Sequence, residues 1–105
     1  MSKATAKFSV GQLIHNKLFG YRGVIFDVDP YFHGSTEWYD HVATTKPPKD
    51  RPWYHVLVDG AGHTTYVAER NLEADTKGGP IRHAELNDYF QGMSEDRYIP
   101  LNKDH

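Results

Sequence analysis

The chain has 105 residues, the modal size of a single domain, and its 38% hydrophobic and 25% charged content is too apolar for disorder and too polar for a large enzyme core. It has no cysteine, which excludes disulfides and thiolate metal sites, and its 14 aromatics must carry much of one compact core. The net charge of -2 hides an asymmetry: residues 1–26 hold Lys3, Lys7, Lys17 and Arg22 with no acid, whereas the rest holds eight basic against 14 acidic residues.

Met1 to Lys7 has no signal-like apolar run, and no stretch approaches membrane-spanning length, so a soluble cytoplasmic protein is expected. Phe8 to Ile14 reads as a short strand entering through a bend at Gly11. Gly20 and Gly23 read as a tight turn feeding Val24–Asp29, a half-buried strand with Val24, Phe26 and Val28 on one side and Asp27 and Asp29 on the other. Pro30 stops it. Residues 31–50 form an unusually long connection ending in Lys46-Pro47-Pro48-Lys49-Asp50. Within it Trp38, Tyr39 and Val42 suit the apolar side of one helical turn, either in a functional loop or in a packed loop that plugs one end of a barrel.

The strongest signal is a hairpin, residues 53–59 with 63–68 about the Asp59-Gly60-Ala61-Gly62 turn. Pairing about that turn would set His63 near Asp59 and His55 near Val67. Glu69 to Leu72 looks like one helical turn before a last short strand, Leu72 to Ala74. The fold class is therefore all-β: a small five-stranded SH3-like barrel over residues 1–76, with an OB-type barrel also compatible. Thr76 to Pro80 breaks the pattern and begins a C-terminal tail, 77–105, in which Leu86, Tyr89 and Phe90 recur at helical spacing. Tyr98 to Leu101 is extended.

No catalytic constellation emerges. None of Ser2, Ser9, Ser35 or Ser94 stands in a nucleophile elbow, no glycine pair forms a phosphate loop, and no cofactor motif is present. The seven histidines include no pair at i, i+2 or i, i+4, so no metal site is predicted. Asp27 and Asp29 read as the solvated edge of a strand rather than paired catalytic carboxylates. The aromatics are the remaining resource, since Tyr21, Trp38, Tyr39, Trp53, Tyr54 and Tyr66 cannot all be buried in so small a barrel.

Three blocks, Phe19-Gly20-Tyr21-Arg22-Gly23-Val24-Ile25-Phe26-Asp27-Val28-Asp29-Pro30, Pro52-Trp53-Tyr54-His55-Val56-Leu57-Val58 and Thr65-Tyr66-Val67-Ala68-Glu69-Arg70-Asn71-Leu72, closely resemble the bacterial heat-shock HspQ family, also called the YccV-like or hemimethylated-DNA-binding family. The resemblance covers about residues 7–74. It implies an SH3-like barrel without catalysis and two roles: an accessory of the ATP-dependent protease Lon in degrading unfolded proteins, or binding of hemimethylated duplex DNA. The acidic net charge favours the first. For that role the expected protein-binding patch is Trp38, Tyr39, Trp53 and Tyr54, whereas DNA contacts would come from Lys3, Lys7, Lys17, Tyr21 and Arg22.

Overall fold

A computed structural model describes residues 5–43 and 45–101. Among these, seven strands form two antiparallel sheets with little helix. The larger sheet holds β1 (Leu13–Asn16), β2 (Arg22–Asp29), β3 (Trp53–Val58), β4 (Thr64–Ala68) and β5 (Leu72–Ala74) in the order β4-β3-β2-β1-β5. A single 3-10 turn, Glu69–Asn71, joins its two edges. In a flat sheet those edges would lie four strand spacings apart, about 19 Å. The four residue steps from Ala68 to Leu72 reach at most about 14 Å. The sheet is therefore curled, as a barrel would be, but among the described residues no hydrogen-bonded ladder joins β4 to β5.

All five strands contribute to the inner core: Ile14, Ile25, Tyr54, Val56, Val67 and Leu72. Their chain neighbours Leu13, Val24 and Leu57 point the other way, into a second cluster with Ile81, Phe90 and Tyr98. Burial on both faces explains why Trp53-Tyr54-His55-Val56-Leu57-Val58 is almost continuously apolar. The segment expected as a tail thus covers the outer face of the sheet. Its helix, α2, is one turn, Leu86–Tyr89, and Phe90, expected to continue it, instead opens β6 (Phe90–Ser94), which pairs with β7 (Arg97–Pro100). Tyr98 N donates to Gly11 O at 2.8 Å, and the Tyr98 hydroxyl accepts from Ile81 N at 2.9 Å. Burying Ile81, Phe90 and Tyr98 contributes roughly 1.5–3 kcal/mol each.

The hairpin, the helical turn and the last short strand stand where the sequence predicts them. Two details differ. The hairpin register sets His55 opposite Tyr66 rather than Val67. In β2 a bulge at Phe26 breaks strict alternation, so that Phe26 packs on the outer cluster with Val24 while Val28 joins the inner core with Ile25.

The long excursion is a packed loop. Phe32 N donates to Lys49 O at 2.9 Å, closing its neck. Between them α1 (Thr36–Val42) starts at Ser35, whose hydroxyl accepts from Trp38 N at 3.0 Å. Trp38 and Tyr39 pack with Phe32 and Tyr66 on buried Trp53, Ala43 and Ala68. Val42 points outward and is 53% exposed.

Candidate functional site

The turn between β1 and β2 is built around Asn16, a buried side chain whose Oδ1 accepts from Leu18 N at 2.8 Å and Phe19 N at 2.9 Å. Gly20, at φ +76°, closes the turn in a conformation that side chains resist. The Asn16 amide donates to the Tyr21 hydroxyl at 3.1 Å, which in turn lies 2.6 Å from Thr65 Oγ1 on β4. The network ties the turn to the far edge of the curled sheet. It also leaves the two apolar side chains nowhere to go but outward: Leu18 is 46% and Phe19 72% exposed.

These two residues line a cleft of about 420 Å³ together with Val42 and Trp38 of α1 and buried Trp53. All five residues of β4 line the cleft. Among the described residues β4 pairs only with β3, so its outer backbone edge runs along the cleft unpaired. Thr64-Thr65-Tyr66-Val67-Ala68 carries neither lysine nor proline nor a bulge, and only its Ala68 end is covered by the excursion. The opposite edge, β5, is only three residues long and carries Glu73. The site is therefore an unpaired strand edge, exposed at Thr64 and buried at Val67 and Ala68, flanked by apolar side chains. It offers main-chain hydrogen bonds and hydrophobic contact.

The predicted protein-binding residues divide. Trp38 and Tyr39 are half-buried, and Trp38 lines the cleft. Trp53 and Tyr54 are core, 1% and 0% exposed, which corrects their expected place on an open patch. Their polar tips are satisfied internally: Trp53 Nε1 donates to Pro48 O at 3.1 Å, and the Tyr54 hydroxyl donates to Glu69. Burial, reinforced by the Glu69 carboxylate, pushes the Tyr54 phenol up, keeping it a donor. The residues missed from sequence are Leu18, Phe19 and Val42. A Leu-Phe pair in a turn, where polar residues are usual, was the available signal.

The predicted DNA contacts divide as well. Lys3 lies outside the described residues. Lys7 and Lys17 are exposed, and both approach the 3-10 turn: Lys7 N donates to Glu69 Oε2 at 2.8 Å and Lys17 N to Asn71 O at 2.8 Å. Exposed Arg70 lies in that same turn. Tyr21 is half-buried in the network with Asn16 and Thr65. Arg22 is not a surface cation. Its guanidinium, 14% exposed, donates to Asp75 at 3.2 Å, Asp59 at 3.4 Å and the carbonyls of Gly78 and Gly79 at 2.8 Å each and Pro80 at 3.3 Å. It fastens the C-terminal cover to the sheet, so it is withdrawn from any phosphate.

On the outer face, the carboxylates of Asp27 and Asp29 come together with the ring of His55. Burial opposes the charge on Asp29, but hydrogen bonds from Tyr66 and His55 outweigh it and hold the carboxyl below its ordinary value. No helix among the described residues is long and apolar enough to cross a membrane. A family model described as hemimethylated DNA-binding protein YccV like matches residues 6–97, taking in the excursion and most of the C-terminal cover as well as the sheet, and the chain belongs to that family.

Proposed function

We propose that this protein is a non-catalytic cytoplasmic binding module that takes up extended, apolar segments of unfolded polypeptides along β4, and so serves as an accessory for their degradation by a Lon-type ATP-dependent protease. The observation that carries the reading is the unpaired β4 edge lying in a cleft lined by Leu18, Phe19 and Val42. An added strand gains main-chain hydrogen bonds whatever its sequence, while the walls favour apolar side chains. Those are the two properties that unfolded chains share.

Phe19 is the cleanest probe, because it is exposed and its removal leaves the core intact. Phe19→Ala should weaken binding of a labelled, permanently unfolded polypeptide by about tenfold, the worth of one large apolar side chain. Its melting temperature should match wild type, and its stimulation of substrate degradation by the protease should fall in parallel. Unchanged affinity in Phe19→Ala would remove the support for this reading. Trp38→Ala is less informative, since Trp38 also packs α1 onto Trp53.

A second reading, binding of hemimethylated duplex DNA, takes its support from the family's description and from the gathering of Lys7, Lys17 and Arg70 about the 3-10 turn. With Arg22 engaged internally and a net charge of -2, that footprint is small for a duplex binder.

A further inference from the structure

The outer face of the large sheet is covered at two places. The C-terminal segment lies over Leu13, Val24 and Leu57, and the α1 excursion lies over Trp53 and Ala68. Between the two covers runs a polar strip. The bulge at Phe26 sets Asp27 directly opposite His55, and His55 is directly opposite Tyr66 on the next strand. Asp29 follows two residues along β2 and so projects from the same face as Asp27. A carboxylate oxygen from each aspartate and a ring nitrogen of His55 lie within 4.8 Å of one another. His33, from the neck of the excursion, brings its Nδ1 to 3.9 Å from Asp29 Oδ2.

We propose that Asp27, Asp29 and His55, completed by His33, form a binding site for a divalent first-row transition-metal ion, with zinc as the reference ion. Two carboxylates balance the charge of the ion, and two imidazoles supply the nitrogen donors that select zinc, nickel or cobalt over magnesium and calcium. The supports are those a metal site needs around its ligands. The Tyr66 hydroxyl donates to Asp29 Oδ2 at 2.6 Å and His55 Nε2 lies 3.1 Å from that same oxygen, a hydrogen bond that the ion would replace. The His55 ring is held between Tyr66, at 4.6 Å, and Phe26, at 5.8 Å. Bonds of about 2.0–2.1 Å would draw the donors to about 3.3 Å apart in a tetrahedron. Side-chain rotation provides that contraction, because Asp27 is exposed and the His33 and His55 side chains are 49% and 34% exposed. The histidines alone gave no such indication: the pattern is an Asp-x-Asp on one strand, completed by residues from the next strand and from a loop. Since His33 belongs to the neck of the excursion and the other three to the sheet, the ion would fasten the loop bearing α1 to the sheet.

The experiment is a titration of the metal-free, untagged protein with zinc by calorimetry and with cobalt by visible absorption. A single saturable equivalent is expected, together with a rise in melting temperature and slower amide exchange in Thr36–Val42. Asp27→Asn and His55→Gln should each weaken binding by about tenfold or more. His15→Gln, which alters the exposed His15–Glu73 pair at 2.9 Å, should leave it unchanged. Asp27 is exposed, so its variant tests ligation with the fold intact, as circular dichroism would verify. Absence of saturable binding, or binding that survives both Asp27→Asn and His55→Gln, would overturn the proposal.

Discussion

Gly23 shows how a residue can be necessary for a reason its sequence context does not suggest. Beside Gly20 it reads as a turn glycine, needed for an unusual backbone conformation. Only Gly20 has that positive φ; Gly23 sits inside β2, opposite Ile14 on one side and Val58 on the other. What it lacks is space. A Cβ there would lie 2.5 Å from Leu57 O and 2.6 Å from Val56 Cγ1, both in the neighbouring strand β3. Gly23→Ala should therefore cost about 1–3 kcal/mol through overpacking, and Gly23→Val more, read as a lower urea midpoint at unchanged slope. At Gly20 no neighbour lies within 4 Å of the added atom, so Gly20→Ala costs only backbone strain, about 1 kcal/mol. If Gly23→Ala is no less stable than Gly20→Ala, the close approach of β2 to β3 is not what holds this position.

Among the elements, those made by local pairing were legible and those made by distant contact were not. The β3–β4 hairpin follows from β-branched and aromatic residues either side of Gly60, and Leu72–Ala74 from the short apolar return after a helical turn. The β6–β7 hairpin turns at Glu95, a non-glycine residue at φ 59°, which no turn motif marks. Leu86, Tyr89 and Phe90 share a helical spacing, yet Phe90 is drawn onto Leu13, Val24 and Leu57, and the helix ends before it. Arg22 looked like a free cation because its partners Asp59 and Asp75 lie 37 and 53 residues on. The cleft was half legible: Trp38 was marked, whereas the exposure of Leu18 and Phe19 depends on the buried Asn16 turn. The Arg22 clasp has its own pH dependence. Burial disfavours the charged form of Asp75, but the Gly78 N–H and the Arg22 guanidinium outweigh it, so its carboxyl stays below the ordinary 3.8. A lowered folded-state value means that the contribution is complete above the ordinary value and is lost as pH falls below it. The protection factor of the Ile81 amide, which donates to the Tyr98 hydroxyl, should fall on acidification below about pH 4 in wild type once the slower intrinsic exchange is corrected for. In Asp75→Asn it should be low already at neutral pH, because the Arg22 guanidinium loses one of its two carboxylate partners. Equal protection in the two proteins at neutral pH would show that the cover is held by its apolar contacts alone.

At the scale of the whole molecule, one end of the curled sheet presents two surfaces side by side. The β4 edge and its apolar walls lie along the cleft, and Asn71, which closes the 3-10 turn between Lys17 and Arg70, lines it too. A polypeptide in the cleft and a duplex on the basic turn would thus contend for neighbouring ground, and salt separates them. A duplex held by Lys7, Lys17 and Arg70 neutralises about three phosphates, giving a log-log salt slope of roughly -3. Lys17→Ala with Arg70→Ala should reduce that slope by about two and weaken methylated, hemimethylated and unmethylated duplexes alike, since phosphate contacts carry no sequence information. Polypeptide binding, carried by an edge strand and apolar walls, should change little over the same salt range and should resist the double substitution while failing in Phe19→Ala. Both titrations use one protein preparation, and circular dichroism checks that the double variant keeps its fold, since Arg70 is exposed but donates to Thr45 O at 2.8 Å. If duplex affinity is strong, steep in salt and selective for the hemimethylated form while unfolded polypeptide binds no better to wild type than to Phe19→Ala, the basic turn is the working surface and the cleft is not.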